Sequence, residues 1–260
     1  MGMKKFKRNL KYMDKRRKNE DDDDEDEQSE DDKVSKSLLV YRDHNHIYFR
    51  CEVTMNRVNR LCNLIEEYNR EHEILQSELT SMILVPKPIY LHITSMGGDM
   101  LGGFLAFDYI KNSKIPIYTI AEGYAVSSGA NMFMAGSKRF MTENSYILIH
   151  QLSATKFGRE TFHDTIDDAT NSIEFMSKLY GIFLNNVRHN RTNILPQDIL
   201  TKEKLENHML HDVYWNYETC LRYGLVDEIY TNYSETDVKE IDEIREHEED
   251  TCKWLDNGGW

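Results

Sequence analysis

A series of consecutive strand–turn–helix units is the feature of this sequence that most limits the possible folds. The first unit pairs an alternating strand over 46–53 with a helix that Thr54 is placed to cap. The second has a β-branched strand over 89–95, a glycine turn and a helix over 101–111. Because strands joined by helical crossovers run parallel, these units predict an α/β fold with a mainly parallel sheet.

A third unit follows the second without a break. A β-branched strand over 117–122 leads to a turn at Gly123, and a short Ala- and Met-rich helix is predicted over 127–136. Two short strands are predicted next, over 139–141 and 146–150.

A long helix is predicted over 160–187, where apolar residues recur at alternating steps of four and three. This spacing gives one extended apolar face, which needs a partner to cover it. Gly224 is placed to end a later helix before a last strand over 228–231.

The two ends of the chain differ from its middle in charge. Residues 1–19 hold nine Lys or Arg and one acid, whereas residues 20–32 hold eleven acids and no base. Opposed charge blocks with few apolar residues are typical of disordered segments. We therefore predict a disordered basic-then-acidic tail over 1–36, one folded domain over 37–231 and an acidic tail over 232–260.

Composition argues against several classes of protein. The net charge of −13 disfavours nonspecific nucleic-acid binding, which needs a clustered basic surface. No apolar run approaches the roughly 20 residues of a membrane-spanning helix, and the basic start fits neither a secretory nor an organellar signal, so we expect a cytoplasmic location. The four cysteines lack a CxxC pair, and His44 and His46 have no ligand cluster near them, so we predict no metal and no cofactor.

A serine at the start of the 127–136 helix is the first candidate for chemistry. Ser127 lies in the segment GYAVSSGA, where a strand and its turn meet the helix. Unpaired backbone N–H groups and the positive end of the helix dipole stabilise negative charge at such a position. Since a bare Ser-Ser-Gly more often only caps a helix, other segments have to decide.

Two other segments supply what a nucleophilic serine needs. The turn Met96-Gly97-Gly98 follows a strand at the edge of the sheet where ligands bind in open α/β folds, and its glycines allow a close backbone approach. The strand of SYILIHQ ends at His150, whose imidazole can take the proton of a serine. Asp212, expected in a turn before the last helix, can fix the tautomer of that imidazole.

Together these segments resemble the proteolytic subunit of the Clp protease. GYAVSSGA, followed 23 residues after its first serine by the histidine of SYILIHQ, is similar to the nucleophile and base segments of that family. SMGGDMLGGFLAFDYI is similar to its glycine turn and the following helix. HDVYWNYETCLRYGLVDEI is similar to its aspartate segment and closing motif.

The resemblance implies a serine peptidase on a ClpP/crotonase-like fold of repeated β-α units, with the 160–187 helix as a protruding handle helix. Three departures from the family pattern, at Met96, Leu152 and Ser128, remove no catalytic side chain and bear on the register of the substrate. The resemblance implies that Ser127 is the nucleophile, that His150 is the general base and then acid, and that Asp212 orients His150. It also implies that Gly97, Gly98 and Ser128 bind the substrate, and that the backbone N–H groups of Gly97 and Ser128 form the oxyanion hole.

The same resemblance implies partners. Members of this family form heptameric rings stacked as a tetradecamer, with the active sites facing an internal chamber. A separate AAA+ unfoldase would use ATP to feed protein substrates into it, since this chain has no GxxxxGK[ST] sequence of its own.

Three alternatives compete with this interpretation. A noncatalytic ring subunit and a crotonase-like acyl-CoA enzyme share the fold, but the complete Ser, His and Asp set favours a peptidase over both. The third alternative is a viral maturation protease of the same fold, which would use the same serine peptidase chemistry to trim viral assembly proteins. The sequence leaves this alternative open.

Overall fold

The computed structural model describes residues 39–79, 83–152, 161–189 and 194–231, and the statements below concern these residues. The chain divides between Leu39 and Val40 into two units, and all the strands and helices named here lie in the second. The predictions for 1–36 and 232–260 fall outside the described residues and stay predictions.

Strands and α-helices alternate along the described residues. The strands are β1 (Val40–Asp43), β2 (His46–Phe49), β3 (Ile89–Ser95), β4 (Ile117–Val126), β5 (Lys138–Met141), β6 (Tyr146–Leu148) and β7 (Glu228–Ile229). The helices are α1 (Met55–Glu78), α2 (Met100–Lys111), α3 (Ser128–Met134), α4 (Phe162–Asn185), α5 (Lys202–Met209) and α6 (Tyr217–Tyr223), with a short 3-10 turn at Pro196–Asp198.

The described strands form one sheet in the order β1-β2-β3-β4-β5-β7, and β6 pairs with β4 off this path. Only β1 and β2 are antiparallel; the other pairs are parallel, which confirms the α/β fold with a mainly parallel sheet. Strand β1 has no counterpart in the sequence prediction.

The turn predicted at Gly123 is wrong, because β4 continues through it to Val126. The first half of β4 pairs with β5, and its second half, from Tyr124, pairs with β6. Gly123 has a φ of 70° between the two halves. The residue therefore bends a continuous strand and lets it change partners, which a local sequence pattern does not distinguish from a turn.

The hydrophobic core lies against one face of the sheet. Ile47 and Phe49 of β2 and Leu91 and Ile93 of β3 are fully buried there, in one cluster with residues of α1, α2 and α3. Burial of each such side chain stabilises the fold by roughly 1.5–3 kcal/mol. Thr54 caps helix α1 as predicted, and its hydroxyl accepts a hydrogen bond from the Arg57 backbone N–H at 3.5 Å.

The opposite face of the sheet carries aromatic and ionisable side chains, since residues alternate between the two faces of a strand. His46 Nδ1 lies 2.9 Å from His92 Nε2, and His92 Nδ1 lies 2.6 Å from Glu122 Oε1. Arg50 donates to the other Glu122 oxygen at 3.1 Å, and the Tyr48 ring stacks on His92 at 4.5 Å. We refer to His46, Arg50, His92 and Glu122 as the polar network.

Helix α4 begins with a capping box formed by Thr161 and Asp164. Its last turns bury side chains in the core, but Phe162 and Ile173 are 76% and 72% exposed. The predicted apolar face is therefore present, and over the first half of the helix the described residues leave it largely exposed. None of the described helices is long and apolar enough to cross a membrane.

A buried arginine joins the ends of three elements. Arg139 of β5 is fully buried and donates to the carbonyl oxygens of Asn186, after α4, at 2.7 Å and Gly224, after α6, at 3.2 Å. Gly224 has a φ of 74° and ends α6 as predicted. The Asp227 carboxylate accepts from the Arg139 backbone N–H at 2.8 Å and lies 3.3 Å from Arg188. Burial, followed by the nearby Arg188 charge, lowers the pKa of Arg139 to about 9.

Candidate active site

Ser127 occupies a strained backbone position between β4 and α3. Its φ of 54° and ψ of −122° are unusual for a residue other than glycine. Its N–H donates to the Leu148 carbonyl oxygen at 2.9 Å, and its own carbonyl oxygen accepts from Ala130 at 2.9 Å. A serine on a sharp strand-to-helix turn of this kind is typical of a nucleophile.

His150 reaches the neighbourhood of Ser127 because β6 runs parallel to the second half of β4. Val126 is paired with Leu148, so the residues that follow each strand emerge side by side. His150 is half-buried and lines the same cleft as Ser127, which has a volume of about 260 Å³. Among the described residues, its ring bonds to the Gln151 carbonyl oxygen and not to Ser127.

Asp212 lies in the turn after α5, as the sequence predicts, and its side chain is exposed. An antiparallel bridge joins Ile147 and Trp215 through N–H···O bonds of 2.9 and 2.7 Å. In an antiparallel pairing that continued from this bridge, His150, three residues after Ile147, would lie opposite Asp212, three residues before Trp215. The bridge therefore places the segments that carry the two residues near each other. Within the described part of the chain, no hydrogen bond joins the two side chains.

The glycine turn after β3 touches the Ser127 backbone. Gly97 has a φ of 90°, and a Cβ there would lie 2.7 Å from both the Ser127 Cβ and the Val126 carbonyl oxygen. A Cβ at Gly98, with a φ of 141°, would overlap the Val53 carbonyl oxygen. Both positions therefore require glycine for steric and conformational reasons.

Two backbone N–H groups lie close to this turn. The first belongs to Gly97 and donates to the Ser95 hydroxyl at 3.1 Å. The second belongs to Ser128, the first residue of α3, and its nitrogen lies 3.1 Å from where a Gly97 Cβ would be. A substrate oxygen bound here would have to compete with the Ser95 hydroxyl for the Gly97 N–H.

The structure thus brings five of the predicted site residues together. Ser127, His150, Gly98 and Ser128 line one cleft, and Gly97 adjoins Ser127. Asp212 is not among the residues that line it. The part of the chain that the structure describes has no group of three or more His, Cys, Asp or Glu arranged to hold a metal ion.

One cleft residue, Asn131, escaped the sequence prediction. It lies four residues after Ser127 on α3, is 2% exposed and lines the cleft. Its Oδ1 atom is buried and has no hydrogen-bond partner among the described residues. The available signal was an amide side chain inside an otherwise apolar or small stretch, SSGANMFMAG. The polar network was also missed, because its members come from separate strands.

Comparison with known proteins decides the family. The model of the Clp protease family, described as "Clp protease", matches residues 69–233. The chain belongs to the Clp protease family. The resemblance seen in the motifs is therefore confirmed.

Individual members of the Clp protease family agree with this. The chain is 32% identical over 176 residues to the ATP-dependent Clp protease proteolytic subunit 2 of Treponema denticola, a match that covers 65% of this chain and 80% of the relative. It is 34% identical over 143 residues to the ATP-dependent Clp protease proteolytic subunit of Deinococcus radiodurans, covering 54% of this chain and 64% of that one.

A solved Clp structure shares the fold. A ClpP1 mutant from Listeria monocytogenes superposes with a TM-score of 0.58 at 17% identity, covering 76% of this chain and 96% of that one. At this identity the likeness establishes the fold alone, which agrees with the order of strands and helices described above.

Proposed function

We propose that this chain is the proteolytic subunit of an ATP-dependent Clp-type protease, a serine endopeptidase. One observation carries the proposal most directly. Ser127 sits on a strained strand-to-helix turn, shares a cleft with His150 and touches the Gly97 turn. A nucleophile, a base and backbone N–H donors are the parts that acyl transfer requires.

In the proposed reaction, Ser127 Oγ attacks the carbonyl carbon of a peptide bond and His150 takes the hydroxyl proton. The N–H groups of Gly97 and Ser128 stabilise the oxyanion that forms. Collapse expels the amine, which receives the proton from His150 and leaves an ester on Ser127. Water then attacks the ester and gives one proton to His150. His150 passes that proton to Ser127 Oγ as the ester bond breaks, and the carboxylic acid product leaves.

Asp212 is proposed to orient His150 and to stabilise its protonated form. For this, the His150 ring has to exchange its bond to the Gln151 carbonyl oxygen for one to the Asp212 carboxylate. A charged acceptor is the stronger partner once the ring carries a proton. The proposal therefore includes a local rearrangement of the segments that carry the two residues.

We further propose heptameric rings stacked as a tetradecamer and fed by an AAA+ unfoldase. Support for assembly comes from the first half of α4, where Phe162 and Ile173 are largely exposed. Large apolar side chains that recur along one helix are costly to leave in water and mark interaction surfaces. A cytoplasmic setting is supported by Cys51, Cys62 and Cys220, which are free thiols.

A fluorophosphonate probe tests the activity, because it reacts covalently only with an activated serine. We expect the label on Ser127, read by peptide mass spectrometry, and loss of both labelling and peptide cleavage in Ser127→Ala. Ser128→Ala should keep the label on Ser127 and substantial activity, since its proposed contribution is a backbone N–H. Equal labelling of both serines, or full activity in Ser127→Ala, would contradict the proposal.

A further inference from the structure

The cleft beside Ser127 contains an amide, that of Asn131, whose oxygen accepts no hydrogen bond from the described residues. Asn131 lies four residues after Ser127 along α3, and residues at this spacing share a face of a helix. It is 2% exposed, and its Oδ1 atom has no hydrogen-bond partner within the part of the chain that the structure describes. Buried polar atoms of folded proteins are nearly always paired, so an unpaired one in a cleft points to a missing ligand group.

The walls of the cleft limit what that ligand group can be. Met100 and Leu179 supply apolar surface, and the Ser128 hydroxyl, which donates to the Gly98 carbonyl oxygen at 3.3 Å, keeps free lone pairs. Apart from His150, no described residue that lines the cleft is ionisable. A charged substrate side chain would lose its hydration here and find no counter-ion among the described residues that line the cleft. A pure hydrocarbon side chain would leave the Asn131 amide unpaired.

We propose that Asn131 determines specificity, so that this cleft selects an uncharged side chain ending in an amide on the residue whose carbonyl Ser127 attacks. Glutamine fits best, because its methylene stem matches the apolar walls and its amide can both donate to and accept from Asn131. The side chain next to the attacked carbonyl is the one that a cleft lined by Ser127 itself receives. This inference rests on the proposed peptidase function.

Discrimination by a buried polar group can be large. A site built to hydrogen-bond its substrate rejects an analogue that lacks the partner group far more strongly than an apolar pocket rejects a missing methylene. We expect kcat/KM for a Gln substrate to exceed that for a matched Leu substrate by about tenfold or more. Glu and Lys substrates should be poorer still.

The test uses the full chain and four fluorogenic peptides that differ only in the residue before the cut, namely Gln, Leu, Glu and Lys. The key variant is Asn131→Leu, which keeps the size of the side chain and removes its polarity. It should reverse the Gln to Leu preference. Asn131→Asp keeps the size and adds a negative charge, so it should raise cleavage of the Lys peptide relative to the Glu peptide. Ratios measured within one preparation do not depend on the fraction that folds correctly.

The outcomes separate the two levels of the argument. If the wild type cleaves peptides and takes the probe at Ser127, but the Gln to Leu ratio is the same in wild type and Asn131→Leu, the specificity proposal is wrong and the peptidase function stands. If the wild type neither takes the probe nor cleaves any peptide, the proposed function fails and the specificity proposal fails with it.

Discussion

The His150 ring donates from Nδ1 to the carbonyl oxygen of Gln151 at 2.6 Å, and so the nitrogen assigned to Asp212 is already occupied. A neutral imidazole has one N–H, and that N–H serves one strong acceptor at a time. We therefore interpret the described arrangement as a resting one. Under the role proposed for Asp212, we expect activation to turn the ring from the backbone carbonyl to the carboxylate, which lies on the segment that the Ile147–Trp215 bridge holds nearby.

Replacing Asp212 by asparagine should lower kcat by about a thousandfold or more, because an amide does not stabilise a protonated imidazole and favours the wrong tautomer. The loss of kcat is measured from the steady-state hydrolysis of a short fluorogenic peptide. Glu203→Gln, another exposed carboxylate on the nearby α5, is the matched control and should keep its rate. An active Asp212→Asn beside an inactive His150→Ala would assign the orienting role to a different group.

Gly97→Ala should reduce kcat by at least about a hundredfold, the usual cost of losing an oxyanion donor. The reason is steric, since the new Cβ would lie 2.7 Å from the Ser127 Cβ on a backbone with positive φ. The control is Gly181→Ala in α4, where the nearest atom would be 3.6 Å away, and which should stabilise the helix by roughly 0.5–1 kcal/mol. The value of kcat and the thermal melting temperature are measured for the wild type, Gly97→Ala and Gly181→Ala. Wild-type turnover in Gly97→Ala would exclude that turn from the site.

Ile173→Glu should disrupt assembly, because it buries a charge in the interface proposed for α4. Native mass spectrometry should show rings or double rings for the wild type and smaller species for the variant. Asn171→Glu adds the same charge about half a turn away and should leave the particle intact. If the wild type were a monomer with full peptidase activity at micromolar concentration, the proposal that the active sites face the chamber of a ring would be wrong.

The polar network should make the fold sensitive to mild acid. Burial, and then the neighbouring His92, lowers the pKa of His46 below its ordinary value of 6.5. The unfolded chain then binds this proton more tightly than the folded one, so the free energy of unfolding falls as the pH drops below 6.5. Protonating both rings would also set two N–H groups against each other across the 2.9 Å contact.

Glu122 acts in the same direction at lower pH. Burial alone would raise its pKa, but the bonds from His92 and Arg50 outweigh it, and the pKa lies below its ordinary value of 4.5. Its contribution is therefore present above pH 4.5 and lost as the pH falls through the lowered value. Urea unfolding at pH 7.5 and 5.5 stays above the range in which the contribution of Glu122 changes. Because burial also lowers the pKa of His208, the His46 part is read from the comparison of the wild type with His46→Gln. His46→Gln should show a smaller difference between the two than the wild type, and an equal difference would contradict the assignment.

Removing residues 1–34 should leave cleavage of short peptides largely intact and alter partner-dependent degradation. The charge blocks of this segment lack the apolar residues that a core needs. Eleven acids per chain, multiplied around a ring, would concentrate negative potential, so the effect should weaken at high salt. Full-length and truncated protein are compared at low and high salt. Loss of short-peptide cleavage would place the segment in the fold, and unchanged partner-dependent activity would remove its proposed role.

Local features of this protein follow from its sequence alone. The cap at Thr54, the strand Ile89–Ser95, the end of α6 at Gly224 and the apolar stripe of α4 all depend on neighbours within a few residues. Such patterns reflect the local backbone preferences of the residues and the regular spacing of apolar side chains, and both can be read from a short segment. The motif around Ser127 was recognisable for the same reason.

The way in which these local features meet depends on the packing of the whole chain. The bend of β4 at Gly123 brings β6, and with it His150, beside Ser127, and the bridge from Trp215 to Ile147 sets the Asp212 turn along the same edge. The Asn131 Oδ1 atom is buried without a hydrogen-bond partner among the described residues because α3 packs into the core, and the polar network forms because separate strands pair. Strand pairing and helix packing join residues far apart in sequence, and their free energy depends on the whole arrangement rather than on any one segment.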